Sequence, residues 1–193
     1  MNLPIVAYGN RILKQKCTQI NENNREIQDL IANMWETMEN SNGCGLSSSQ
    51  INKPLQLFIV DSQIIFENLD TEDQLLYFER NDKGIRETFI NAKIIDSSEE
   101  TWEDYEGCLS IPGLSQKVER PWKVTLEYCN QDFVRQTETF TGLTARIIQH
   151  EYDHTQGVLY IDRLKSLTRK MIESKLKRIA TGNISTGYPM KFL

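Results

Sequence analysis

The only two histidines in this chain of 193 residues stand four residues apart, in Gln149-His-Glu-Tyr-Asp-His154. On an α-helix, positions i and i+4 share a face. His150 and His154 could therefore hold one metal ion while Glu151 reaches a water activated there. Such a trio predicts hydrolysis by water. The plainer alternative is a pair of buried rings hydrogen-bonded to carbonyls. At about 100° per residue, however, Leu143, Ile147, His150, Glu151 and His154 fall in one stripe, so the polar groups point the same way as the aliphatic ones. Burying three ionisable groups unpaired costs several kcal/mol, and a divalent cation is the simplest compensation.

A catalytic site of this kind commonly uses three protein ligands and leaves one position open. The sequence offers three places to look for the third. In the metzincin extension, His-Glu-x-x-His continues x-x-Gly-x-x-His; Gly157 fits, but Tyr160 takes the last histidine position. A downstream glutamate, Glu173, lies opposite the apolar stripe of its own helix and so faces solvent. Cys108, in Glu106-Gly-Cys-Leu-Ser110, follows a strand ending near Tyr105, with Gly107 beside it to let the backbone approach the site. A thiolate there would be a strong ligand, although Cys108 taken alone reads as a buried structural cysteine. Spacing leaves both Glu173 and Cys108 open.

These residues need elements to hold them. The motif helix is expected to start between Thr141 and Leu143 and to stop at Gly157, a good residue for the position after a helix end. Ile27, Leu30, Ile31, Met34 and Met38 recur at helical spacing between Asn24 and Asn40, and Ser41-Asn-Gly43 ends that helix. A last helix is expected over Ser166–Ala180, followed by a flexible tail over 182–193. Leu55–Asp61, Phe89–Ile95, Lys123–Tyr128 and Phe133–Phe140 read as an antiparallel set of strands. The polar, acidic stretch 62–87 reads as a surface excursion with a short hairpin. Helices at the ends and strands between them predict one α+β domain over 1–193, with sheets packed around the helix that carries the histidines.

Composition narrows the function further. With 39% hydrophobic residues the chain can bury a core, and a net charge of −5 argues against a nucleic-acid surface. No segment is long and apolar enough to span a bilayer, and Met1–Lys16 does not read as a signal peptide. The four cysteines, without other marks of secretion, point to thiols rather than disulfides; Cys17 and Cys129 read as small hydrophobes.

Three motifs in order resemble the peptide deformylases. The family's Gly-x-Gly-Leu-Ala-Ala-x-Gln appears as Gly43-Cys-Gly-Leu-Ser-Ser-Ser-Gln50, its Glu-Gly-Cys-Leu-Ser as Glu106–Ser110, and its Gln-His-Glu-x-Asp-His as Gln149–His154. The similarity runs from Leu3-Pro-Ile-Val to the helix after Gly157. It implies a metal-dependent hydrolase that removes the formyl group from the N-terminal N-formylmethionine of nascent proteins and releases formate. It also implies that Cys108, His150 and His154 hold the metal, that Glu151 is the base, and that Gln50 and the Leu109 N–H are the oxyanion donors. The substrate backbone would run beside Gly45, and Cys44, Leu143 and Ile147 would line the methionine pocket. The metal implied is Fe2+, with Zn2+, Ni2+ or Co2+ as substitutes. The setting implied is a bacterial cytoplasm with transient ribosome association.

Ser47 and Ser48 replace the paired alanines of the family motif, and Thr155 stands where leucine or isoleucine usually follows the second histidine. The serine hydroxyls must find hydrogen bonds if buried, and Thr155 is expected to loosen helix packing. Two other readings compete. One is an endopeptidase using Glu173 as third ligand, and the other is a non-catalytic relative that keeps the fold; the latter has no need of Glu151 or Gln50.

Overall fold

A computed structural model describes residues 1–193. After a short strand β1 (Ile5–Val6), the spaced apolar residues form helix α1 (Arg25–Asn40), capped by the Asn24 side chain, which accepts from the Ile27 N–H at 3.0 Å. Its Leu30, Ile31, Met34 and Met38 are buried, so the methionine stripe is core. Strand β2 (Gly45–Ser47) leads through a 3-10 turn at Ser48–Ile51 to β3 (Leu57–Asp61).

The stretch after Asp61 differs from the expected hairpin. It forms two short helices, α2 (Gln63–Asn68) and α3 (Thr71–Tyr77), neither with a buried residue. The Asp70 side chain accepts from the Asp73 N–H at 2.9 Å, and Glu72 and Asp73 fill the first turn of α3. Acidic residues there suit the positive end of a helix, which is why an acidic run ends up helical. Its surface location is as expected.

Strands β4 (Arg86–Ser97), β5 (Thr101–Cys108), β6 (Ile111–Pro121), β7 (Lys123–Cys129) and β8 (Arg135–Thr141) follow. The four expected strands, joined by the unforeseen β2, form one five-stranded antiparallel sheet in the order β2-β3-β4-β7-β8. The β5–β6 hairpin is separate, and β6 was not legible because Pro112, Gly113 and charged residues break up the alternation. Cys108 pairs with Ile111, which leaves Leu109 and Ser110 as the hairpin turn.

Helix α4 (Gly142–Thr155) carries the histidines and packs on β2 and β3. Every residue of it except Leu143 and Tyr152 is buried, so it is more enclosed than a one-sided stripe requires. Gly157 follows with φ +74°, and a Cβ there would meet the Lys14 carbonyl at 2.7 Å, so glycine ends this helix for two reasons. Ala145, Ile147 and Ile148 join Phe58, Phe89 and Leu126 in a core between helix and sheet. Helix α5 (Ser166–Ala180) matches its expected span and buries Ile172, Leu176 and Ile179.

The segment after Gly182 is not a free tail. Its strand β9 (Met190–Lys191) pairs in parallel with β1, placing Ile5 beside Met190. Backbone hydrogen bonds from Ile5 N to Pro189 O and from Ala7 N to Lys191 O, both 2.9 Å, fasten it. The apolar partner for this segment lies at the other end of the chain, where local patterning could not show it.

Candidate active site

Helix α4, the β5–β6 turn and the 3-10 turn after β2 converge on one point. The Cys108 Sγ and one ring nitrogen each of His150 and His154 lie within 4.8 Å of one another. His154 Nε2 is 3.3 Å from the sulfur. His150 Nδ1 is 2.9 Å from Glu106 Oε2, which fixes that ring's orientation and leaves its other nitrogen toward the cluster. One soft thiolate and two imidazoles, one of them oriented by a carboxylate, fit a divalent transition metal. A metal-binding group is thus present.

Glu106 is the pivot of a buried charge network. Its Oε1 accepts from Arg120 Nε at 2.6 Å and Arg146 Nη1 at 2.7 Å, and its Oε2 accepts from Arg120 Nη2 at 2.8 Å as well as from His150. Arg120, only 1% exposed, also donates to Asp153 at 2.9 Å, and Asp153 accepts two hydrogen bonds from Arg163 at 2.6 Å. Burial alone would raise the Glu106 pKa, but the hydrogen bonds from Arg120 and His150 outweigh it and hold the carboxyl far below the usual range. His150 therefore faces an anion at neutral pH.

Glu151 has the opposite environment. It is 4% exposed, its Oε2 has no hydrogen-bond partner, and burial, partly offset by His150, raises its pKa to about 7. A buried carboxylate with an unpaired oxygen beside a metal-ligating group is suited to exchanging protons with a bound water. Gly45 makes room for it, because a Cβ at that position would sit 2.5 Å from Glu151 Oε1. Close approach at Gly45 is thus first of all an approach by Glu151. The same reasoning fails for Gly107, where a Cβ would meet nothing within 4 Å.

Gln50 is held at both ends of its amide. Its Oε1 accepts from the Ser47 N–H at 2.8 Å, and its Nε2 donates to Ser110 Oγ at 3.2 Å and lies 3.4 Å from Cys108 Sγ. Cys44, Gly45, Gln50, Cys108, Leu109, Leu143, Ile147, His150 and Glu151 all line one cleft of about 690 Å³. His154 is 1% exposed and reaches the cluster through its contact with Cys108. Burial, then the charge of Glu151, pushes the Cys44 thiol up to about 12, so it stays neutral and serves as an apolar wall. Cys44 and Leu143 pack against the core that contains Ile147, so pocket and core are continuous here.

The structure does not bring Glu173, the competing candidate for third ligand, to this group. Glu173 on α5 has a side chain 56% exposed and paired with Lys177 at 2.9 Å. Tyr160 has a different task, stacking near His150 with ring centroids 5.9 Å apart and donating to the Leu114 carbonyl at 2.9 Å.

The polypeptide deformylase family model matches residues 2–170. The chain belongs to the polypeptide deformylase family. It is 45% identical to the peptide deformylase of Flavobacterium johnsoniae over 192 residues, covering 100% of this chain and 96% of that protein. It is 41% identical to that of Christiangramia forsetii, with 100% and 96% covered. The crystal structure of the Ehrlichia chaffeensis peptide deformylase superposes with a TM-score of 0.81 at 28% identity, over 95% of this chain and 100% of that one. Deformylases remove the N-formyl group from nascent peptides in a metal-dependent hydrolysis, and that is the activity of this chain.

The departures from the family motif are absorbed locally. Ser47 and Ser48 are fully buried; Ser48 Oγ donates to the Leu55 carbonyl at 2.8 Å, and Ser47 Oγ lies 3.4 Å from Ser49 Oγ. Thr155 donates to the Tyr152 carbonyl at 2.7 Å, a bond within its own helix that satisfies the hydroxyl. Sequence reasoning missed the Glu106 network and the segment Ser185–Tyr188, which lines the cleft. One signal was available for the network: Arg146 stands one turn before His150 on the motif helix. The C-terminal segment carried no such signal.

Proposed function

We propose that Cys108, His150 and His154 hold the catalytic metal of this deformylase, with Glu151 as the base and Gln50 and the Leu109 N–H as oxyanion donors. When bound, a divalent cation supplies Lewis acidity, bringing the pKa of a water to about 7 and polarising the formyl oxygen. Glu151 takes the proton of the attacking water on its unpaired oxygen and delivers it to the departing amine. The observation that carries this assignment is that oxygen, buried without a partner beside the three ligands. Gln50 Nε2, held by its fixed Oε1, donates to the developing oxyanion. Glu106 keeps His150 in one ring orientation throughout.

The methionine side chain of the substrate occupies the wall formed by Cys44, Leu143 and Ile147, and the peptide runs past Gly45. The whole of 1–193 acts as one catalytic domain. Ferrous iron is the native metal, following the family's preference; zinc, nickel and cobalt suit the same donors. Because iron beside a thiolate is open to oxidation, activity of the iron form should fade in air while the nickel form persists. A nascent formylated substrate puts the enzyme in the bacterial cytoplasm, in transient association with ribosomes. The deciding test is an anaerobic assay of formate release from formyl-Met-Ala-Ser, with metal measured on the same sample and Glu151→Ala as control. Fully metallated protein that releases no formate would overturn the reading.

A further inference from the structure

The Cys108 turn has a tether from outside the region that matches the family model. Tyr188 donates its hydroxyl to the Leu109 carbonyl at 2.8 Å, across 79 positions in sequence, whereas the family match stops at residue 170. Leu109 and Ser110 form the two-residue turn of the β5–β6 hairpin, immediately after the ligand Cys108. Ser110 is already held from two sides, its Oγ by Gln50 at 3.2 Å and its carbonyl by the Tyr8 N–H at 2.8 Å. Leu109 is held through Tyr188.

The anchor is itself fixed. Thr186 Oγ1 donates to the Tyr188 carbonyl at 2.8 Å, and the next residues pair with β1 through the hydrogen bond from Ile5 N to Pro189 O. The tyrosine ring packs against the cluster built on α1, so the hydroxyl is delivered from a rigid support. Ser185–Tyr188 also line the cleft.

We propose that Tyr188 is a positioning residue for deformylation, restraining Leu109 so that its N–H meets the developing oxyanion without reorganising. This rests on the oxyanion role given to Leu109 above. A donor that must be pre-aimed loses its advantage if its residue can rock, and a hydrogen bond on the carbonyl of the same residue limits that motion. The C-terminal segment is thereby part of the reaction machinery and more than a closing strand.

Tyr188→Phe removes only the hydroxyl and keeps the ring in its cluster. In the metal-loaded enzyme, kcat for formyl-Met-Ala-Ser should fall about fivefold with KM within about twofold, the size of effect expected from one restraining hydrogen bond. Metal content should stay at the wild-type value, melting temperature should fall by only about 2–4 °C, and amide exchange in segment 106–111 should speed up several-fold by mass spectrometry. Wild-type kcat in the variant, a loss confined to KM, or unchanged exchange at the turn would each overturn the proposal. Absence of formate from the wild type would instead overturn the functional reading, so the two failures are distinguishable.

Discussion

Helices α4 and α5 are close to the same length, both follow apolar spacing, and each carries a glutamate among its polar residues; yet the two glutamates have opposite fates. Glu151 on α4 is buried, lacks a partner for Oε2, and has its pKa raised to about 7, first by burial. Glu173 on α5 is exposed, and its ion pair with Lys177 lowers its pKa. The difference lies in what covers each helix. The sheet and the β5–β6 hairpin enclose α4, while α5 lays one face on the core and leaves the rest in water. A carboxylate is poised to exchange protons when the fold withholds solvent and partners from it, and stays a solvated charge when the fold does not.

The sharpest way to break this contrast is to remove the two glutamates in turn. Glu151→Ala should lower turnover about a thousandfold in fully metallated protein, the range for losing a general base; a loss under tenfold would remove it from that role. Glu106→Gln tests the network behind α4. It leaves Arg120 and Arg146 buried without their anion and should cost about 3 kcal/mol by urea unfolding at neutral pH. Because the folded Glu106 pKa lies below its unfolded value of about 4.3, its contribution is present above that pH. It drains away as pH falls toward the folded value. The stability gap between wild type and variant should therefore narrow below about pH 4, and a gap that widens on acidification would contradict the assignment.

Gln50→Ala should lower kcat about a hundredfold, as expected for a lost oxyanion donor, and should also lower the melting temperature by several degrees, because the buried Ser47 N–H loses its acceptor. Little loss of kcat would leave Gln50 as a structural tie between the turns. At the small end, Glu173→Ala should leave turnover, metal content and melting temperature unchanged. Loss of metal from that variant would reverse the comparison of the two helices.

Much of α4 was readable beforehand. The i, i+4 spacing set His150 and His154 on one side, the stripe foretold burial, and Gly157 marked the end. α1, α5 and four of the five strands of the main sheet were likewise readable because their periodicity is local. The excursion 62–87 lies on the surface as its polarity implies, but its two helices in place of a hairpin were not legible because its acidic residues read equally as a solvated loop or a helix start. Strand β6 was hidden by Pro112 and Gly113. In the same way, the tail 182–193 showed no amphipathic pattern of its own, since its order comes from pairing with β1.

Helical geometry is a property of neighbours in the chain, so the half-site of His150, Glu151 and His154 followed from residue types and spacing alone. Motif order then brought Cys108 and Gln50 into the proposal without saying how they would meet the helix. That meeting depends on contacts between residues 46 apart for Cys108 and His154, 44 apart for Glu106 and His150, and 79 apart for Leu109 and Tyr188. Such contacts are made by strand register and packing, in which every element must find its partner before any one side chain is aimed. The gathering of Cys108 with the two histidines while Glu173 stays in solvent, the buried anion behind His150 and the tether on Leu109 were accordingly decided by the folded chain.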